Sequence, residues 1–96
     1  MADALLSKLS VEQKTALVTG NPTAGGCNGN IGSIPSIGFA GLCLADGPLG
    51  IRAVDLASAF PAGLTMAASW DKELIYARGR AIGAEFRGKG ATVYLG

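Results

Sequence analysis

The chain has 96 residues, enough for one small domain with a modest core. Hydrophobic residues make up 49%, charged residues 16%, and the net charge is +1; that balance suits a buried α/β element better than a free-standing small domain, whose surface is usually more charged. The eight Lys and Arg residues form no stripe and few aromatics could stack on bases, which argues against nucleic acid, and no apolar run nears the roughly 20 residues of a membrane span.

The 15 glycines follow no period, so collagen-like and linker architectures are excluded. The segment Met1 to Lys8 has no basic stretch leading into an apolar core and does not read as a signal peptide. No usable Asn-x-Ser/Thr acceptor is present, because Asn21 is followed by Pro22. Cys27 and Cys43 cannot make a four-ligand zinc site alone, and with no histidine a Ser-His or Cys-His arrangement cannot form within the chain. The two thiols are either buried and free or joined in one disulfide, and their spacing favours neither.

The periodicity of Leu5, Leu6, Leu9, Ala16 and Leu17 predicts a helix over 3–19. Ser10-Val11-Glu12-Gln13 is a capping-box pattern that places a helix start at Ser10 and leaves 3–9 as a separate turn; Gly20 is the stop. Residues 20–41 read as a loop rich in turn formers, among them Asn21-Pro22, Gly25-Gly26 and Asn28-Gly29. A loop of that length is uncommon without a function or a staple. Gly41 to Ala45 reads as a short buried strand ending at the turn Asp46-Gly47-Pro48, and residues 63–67 as a second strand candidate.

Ser69 or Asp71 then caps a helix running to about residue 89. Its apolar face carries Leu74, Ile75, Ala77, Ala81, Ile82 and Phe86, with Lys72, Arg80, Arg87 and Lys89 largely opposite. Ala91 to Leu95 is a third strand. Strand, helix and strand in this order form a βαβ unit and imply a parallel sheet. Such a sheet needs both faces covered, and a complete eight-fold barrel takes roughly 250 residues. The expected fold class is therefore α/β, with residues 1–96 an incomplete portion of a larger parallel architecture.

Ligands of α/β barrels and open sheets bind at the carboxyl ends of strands, where Asp46 falls. A carboxylate beside Gly47 and Pro48 can accept hydrogen bonds from two neighbouring hydroxyls, and it can equally cap the turn it begins. Arg52 could hold a carboxylate in place but reads more simply as a loop residue, as does Asp55. Glu85 reads as a rim residue and Trp70 as core packing. No Walker-type phosphate loop is present, and the glycines between Gly25 and Gly32 lack the flanking strand and helix of a nucleotide site.

Several stretches together resemble a known family. They are Cys27-Asn28-Gly29-Asn30-Ile31-Gly32-Ser33-Ile34-Pro35, Gly41 through Arg52 with its core Asp46-Gly47-Pro48-Leu49-Gly50-Ile51-Arg52, Ser58-Ala59-Phe60-Pro61-Ala62-Gly63, Ala67 through Asp71, Ala77 through Phe86, and Lys89-Gly90. In order and spacing they resemble the fungal β-glucosidases of glycoside hydrolase family three, over nearly the whole chain. The resemblance implies a (β/α)₈-like TIM barrel of which this chain holds about the first two to three βα units. It also implies retaining hydrolysis of terminal, non-reducing β-D-glucosyl residues in cellobiose and other glucosides.

Retaining hydrolysis needs two carboxyl groups roughly 5 Å apart, and by resemblance both lie in regions beyond this chain. No catalytic residue is therefore expected here, and the chain alone is expected to be inactive. By resemblance Asp46 binds glucose hydroxyls in the −1 subsite, Cys27 and Cys43 pair in a disulfide, and the protein is secreted. The implied partner is a small β-glucoside or cello-oligosaccharide; no cofactor, metal, nucleic acid or membrane is implied. The alternative is a non-catalytic sugar-binding or interaction module. The chain departs from the family in lacking an aromatic in the loop Asn21 to Gly26, where an aglycone platform is usual, and in carrying Ser36 for Arg and Ala40 for Pro.

Overall fold

The structure, a computed structural model, describes residues 2–21 and 27–96. The aromatic-free loop singled out above lies mostly outside the described residues. The chain opens with a short helix α1 (Ala2–Leu6) and a second helix α2 (Val11–Thr19). The capping box is complete. The Gln13 N–H donates to the Ser10 hydroxyl at 3.2 Å, and the Ser10 N–H donates to Gln13 Oε1 at 3.0 Å. Hydrogen bonds to its own backbone and to the Ser10 hydroxyl hold the Glu12 carboxyl below its usual pKa. Gly20 ends α2 at φ 71°, donating its N–H to the Ala16 carbonyl.

Residues 20–41 are not all loop. They contain strand β1 (Gly29–Ile31) and a 3₁₀ turn (Pro35–Ile37). β1 pairs antiparallel with β2 (Leu42–Asp46), with Asn30 opposite Cys43. A three-residue strand opening on glycine has no periodicity to read. Its pairing partner, not its own sequence, makes it a strand.

The strand expected at 63–67 is a helix, α3 (Gly63–Ala68), with Met66 its one buried residue. Periodicity cannot separate a short apolar run in a strand from one in a helix, and Leu, Met and Ala are strong helix formers. The long helix α4 (Lys72–Gly88) follows as expected, with Asp71 as its N-cap. The Asp71 carboxylate accepts from the N–H groups of Glu73 and Leu74, each at 3.0 Å. Strand β3 (Val93–Leu95) then lies parallel to β2, with Asp46 level with Leu95.

Among the described residues the sheet has three strands in the order β1-β2-β3. It is mixed, not wholly parallel, because β1 runs against β2. The crossover between the parallel pair carries α3 and α4 together, so the βαβ unit is β2 to β3 and has no strand between.

The core is small. Ala45, Ile51, Ile82 and Phe86 are buried together, with Val54, Phe60 and Ala91 packed around them. Phe86 meets Tyr94 edge to face at 4.5 Å. Only Ile82 and Phe86 of the expected apolar face of α4 are buried; Leu74 and Ile75 stay partly open. Trp70, expected in the core, is 91% exposed. It occupies the turn between α3 and α4 with φ 54°, and none of the described residues covers its ring. The radius of gyration is 16.8 Å, against about 13 Å for a compact domain of roughly 100 residues.

Candidate functional site

Asp46 is the last residue of β2, and β3 ends beside it. Two parallel strands thus present their carboxyl ends at one edge, where α/β sheets bind ligands. The main chain of Asp46 is held from both directions. Its N–H donates to Asn28 Oδ1 at 2.8 Å, and its carbonyl accepts the Arg52 N–H at 3.1 Å. The next residue is held as well, since the Gly47 N–H donates to the Leu95 carbonyl at 2.9 Å. With its backbone fixed in this way, the Asp46 side chain leaves the strand in a set direction.

Gly47 and Gly50 make that turn possible. A Cβ on Gly47 would collide with the Gly50 carbonyl, and one on Gly50, at φ 127°, would collide with the Ser58 carbonyl. The segment after Asp46 therefore folds closely on itself, closed by a bond from the Phe60 N–H to the Leu49 carbonyl at 2.7 Å.

The neighbour Asn28 is placed by a covalent bond. Cys27 and Cys43 form a disulfide that ties residue 27 to the middle of β2, with a Cα–Cα distance of 5.5 Å. Cys43 is also tied on its other side. Its N–H donates to the Thr92 hydroxyl at 2.6 Å, and its carbonyl accepts the Thr92 N–H at 2.8 Å. The disulfide thus holds the Asn28 side chain within reach of the Asp46 amide.

The other residues singled out in the sequence have their own hydrogen bonds. Arg52 is exposed, and its backbone N–H donates to the Asp46 carbonyl. Asp55 contributes its carbonyl, which accepts from Lys89 Nζ at 2.7 Å. Lys89, placed on the outer side of α4 by the sequence pattern, reaches back over the loop. Glu85 is a loop anchor: both carboxylate oxygens accept the Ser58 N–H, each at 3.0 Å.

Two contributors had no sequence signal of their own. One is Asn28, which sits among turn formers. The other is Arg78, whose Nε donates to the Pro61 carbonyl at 2.7 Å and whose Nη2 donates to the Pro48 carbonyl at 2.6 Å. Only the helix register that lays Arg78 over the turn could have marked it.

Two surface grooves lie elsewhere. One runs between α2 and Gly32 to Pro35, the other along Ala40 to Cys43 and Thr92 at the opposite end of β2. Neither reaches Asp46. Among the described residues no group of three or more acidic, Cys or His side chains could hold a metal. Among the described residues no helix is long and apolar enough to cross a membrane.

No protein-family model matches the chain. The chain is 55% identical over 95 residues to the probable β-glucosidase G of Aspergillus flavus, a match that spans 99% of this chain and 11% of that protein. Among solved structures, the β-glucosidase D2-BGL of Chaetomella raphigera is 44% identical with a TM-score of 0.83, over 99% of this chain and 14% of its own. The β-glucosidase 3B of Thermotoga neapolitana, solved in complex with glucose, is 31% identical with a TM-score of 0.82, over 98% of this chain and 16% of its own. The chain therefore spans about a tenth of the length of the curated relatives it matches. Over that stretch the sequence and the three-dimensional path agree, and the chain matches, at high identity, a short segment of fungal β-glucosidases of glycoside hydrolase family three.

Proposed function

We propose that residues 1–96 are part of the (β/α)₈ barrel of a secreted, retaining β-glucosidase, and that Asp46 grips hydroxyls of the terminal glucose in the −1 subsite. The substrate class is terminal, non-reducing β-D-glucosides, cellobiose and cello-oligosaccharides included. The single observation that carries this is the place of Asp46: a carboxylate at the carboxyl end of a parallel pair, on a backbone fixed by Asn28 and Arg52. A carboxylate held so can accept from two adjacent sugar hydroxyls without first being ordered, which is what makes a binding group effective.

The nucleophile and the acid/base are assigned to segments outside these residues, so the chain by itself performs no hydrolysis. Its surface supports that. Leu56, Leu64 and Trp70 are each more than four-fifths exposed, and a small soluble domain rarely leaves so much large apolar side chain open. The shape is also too extended for a self-contained domain. The disulfide agrees with an oxidising compartment.

The test replaces the matching stretch of the Chaetomella raphigera β-glucosidase with this chain and compares Asp46→Ala with the unmutated chimera on cellobiose. Two charge-assisted hydrogen bonds of about 2 kcal/mol each correspond to roughly a thousandfold in kcat/KM. An Asp46→Ala chimera with unchanged kcat/KM would sink the assignment. Turnover of an aryl β-glucoside by the isolated 96-residue chain would equally contradict it.

A further inference from the structure

Arg78, Glu85 and Lys89 stand at i, i+7 and i+11 along α4 and its C-cap, which brings them to within about 20° of one line on the helix surface. Each reaches out to a main-chain group of the segment 48–61 and none to another side chain of it. Lys89 takes the Asp55 carbonyl and Glu85 the Ser58 N–H. Arg78 takes the carbonyls of Pro48 and Pro61, which are the two ends of the segment. A planar guanidinium can hold two carbonyls at once along one edge, which the single ammonium of lysine cannot do in fixed geometry. Arg78 therefore clasps the loop shut two residues after Asp46.

We propose that Arg78 is a positioning residue for Asp46. It fixes the height of Pro48, Pro48 fixes the Gly47 to Gly50 turn, and that turn sets the direction in which the Asp46 carboxylate faces the sugar. The inference rests on the sugar-binding assignment of Asp46 and goes beyond it. Arg78 touches no substrate; it acts through the Pro48 carbonyl.

The experiment uses the same chimera and measures kcat, KM and the inhibition constant of D-glucose for Arg78→Met, Asp46→Ala and the double variant, with active sites counted by titration. Arg78→Met is expected to weaken D-glucose binding and lower kcat/KM on the order of tenfold. In the Asp46→Ala background the same substitution is expected to cost less than about twofold, because the group it positions is gone. Arg78→Lys, which keeps the charge but not the fork, should fall between Arg78→Met and the unmutated chimera.

Equal losses from Arg78→Met in both backgrounds, or an unchanged glucose constant, would overturn the proposal. If Asp46→Ala cripples the enzyme and Arg78→Met does not, only the positioning role fails. If Asp46→Ala itself is silent, the sugar-binding assignment fails with it. Should Arg78→Met not fold, Arg78→Lys is judged by the same double-variant criterion. Failure of both to fold would make Arg78 a purely structural residue and refute the inference.

Discussion

Helix α2 and the segment 47–61 are ordered by opposite means. Nearly all that shapes α2 is local: the Ser10–Gln13 capping box at one end and Gly20 at the other, with no residue buried along it. The segment 47–61 has almost no regular structure, and its main-chain groups are bonded to side chains 17 to 34 residues away. The helix takes both its ends from its own sequence. The loop has its shape only while α4 lies over it. The carboxylate of Asp46 stands at the root of the second kind of structure, where precise aim comes from distant, rigid anchors and not from local propensity.

Breaking the distant order should cost most. Gly47→Ala puts a Cβ into the Gly50 carbonyl, so the turn must open or the strand end must shift. We expect it to destabilise the chimera by about 4 kcal/mol, at the exceptional end for one substitution, and to abolish cellobiose hydrolysis. Thermal unfolding and kcat/KM read the two effects. A Gly47→Ala chimera with the parental melting temperature would show that the turn is not held as described.

Next comes the disulfide. Replacing Cys27 and Cys43 by Ser releases a loop of 16 residues, for which about 3 kcal/mol is expected. The urea midpoint should fall by the corresponding amount, and dithiothreitol should lower the parental midpoint but not that of the double variant. Because the bond also holds Asn28 against the Asp46 amide, KM for cellobiose should rise as well.

The smallest effect is local. Ser10→Ala removes the cap hydroxyl from the Gln13 N–H and should cost about 1 kcal/mol. Amide exchange should speed up at the start of α2 and leave the Ser58 and Arg52 amides unchanged. If exchange at Ser58 rose with it, the two regions would not be as independent as their bonding says.

The same contrast separates what could be read in advance from what could not. Helix α2, its cap and its stop, helix α4 with Asp71, and strands β2 and β3 were all legible, because caps, glycine stops and periodicity are written in neighbouring residues. β1 was missed because three residues carry no period, and α3 was misread because a short apolar run has no unique one. Trp70 went wrong for a different reason. An aromatic ring is a fair candidate for a core, but residue type alone cannot say which segment covers it, and among the described residues none does.

The amino-acid order by itself carried the resemblance to β-glucosidases and put Asp46 at a strand end, since both depend on residues that lie side by side in the chain. It could not show what holds the main chain around that carboxylate. Asn28, Glu85 and Arg78 act on backbone groups 18, 27 and as many as 30 positions away. Only the folding of β1 and α4 onto β2 and its turn brings those groups within hydrogen-bonding distance.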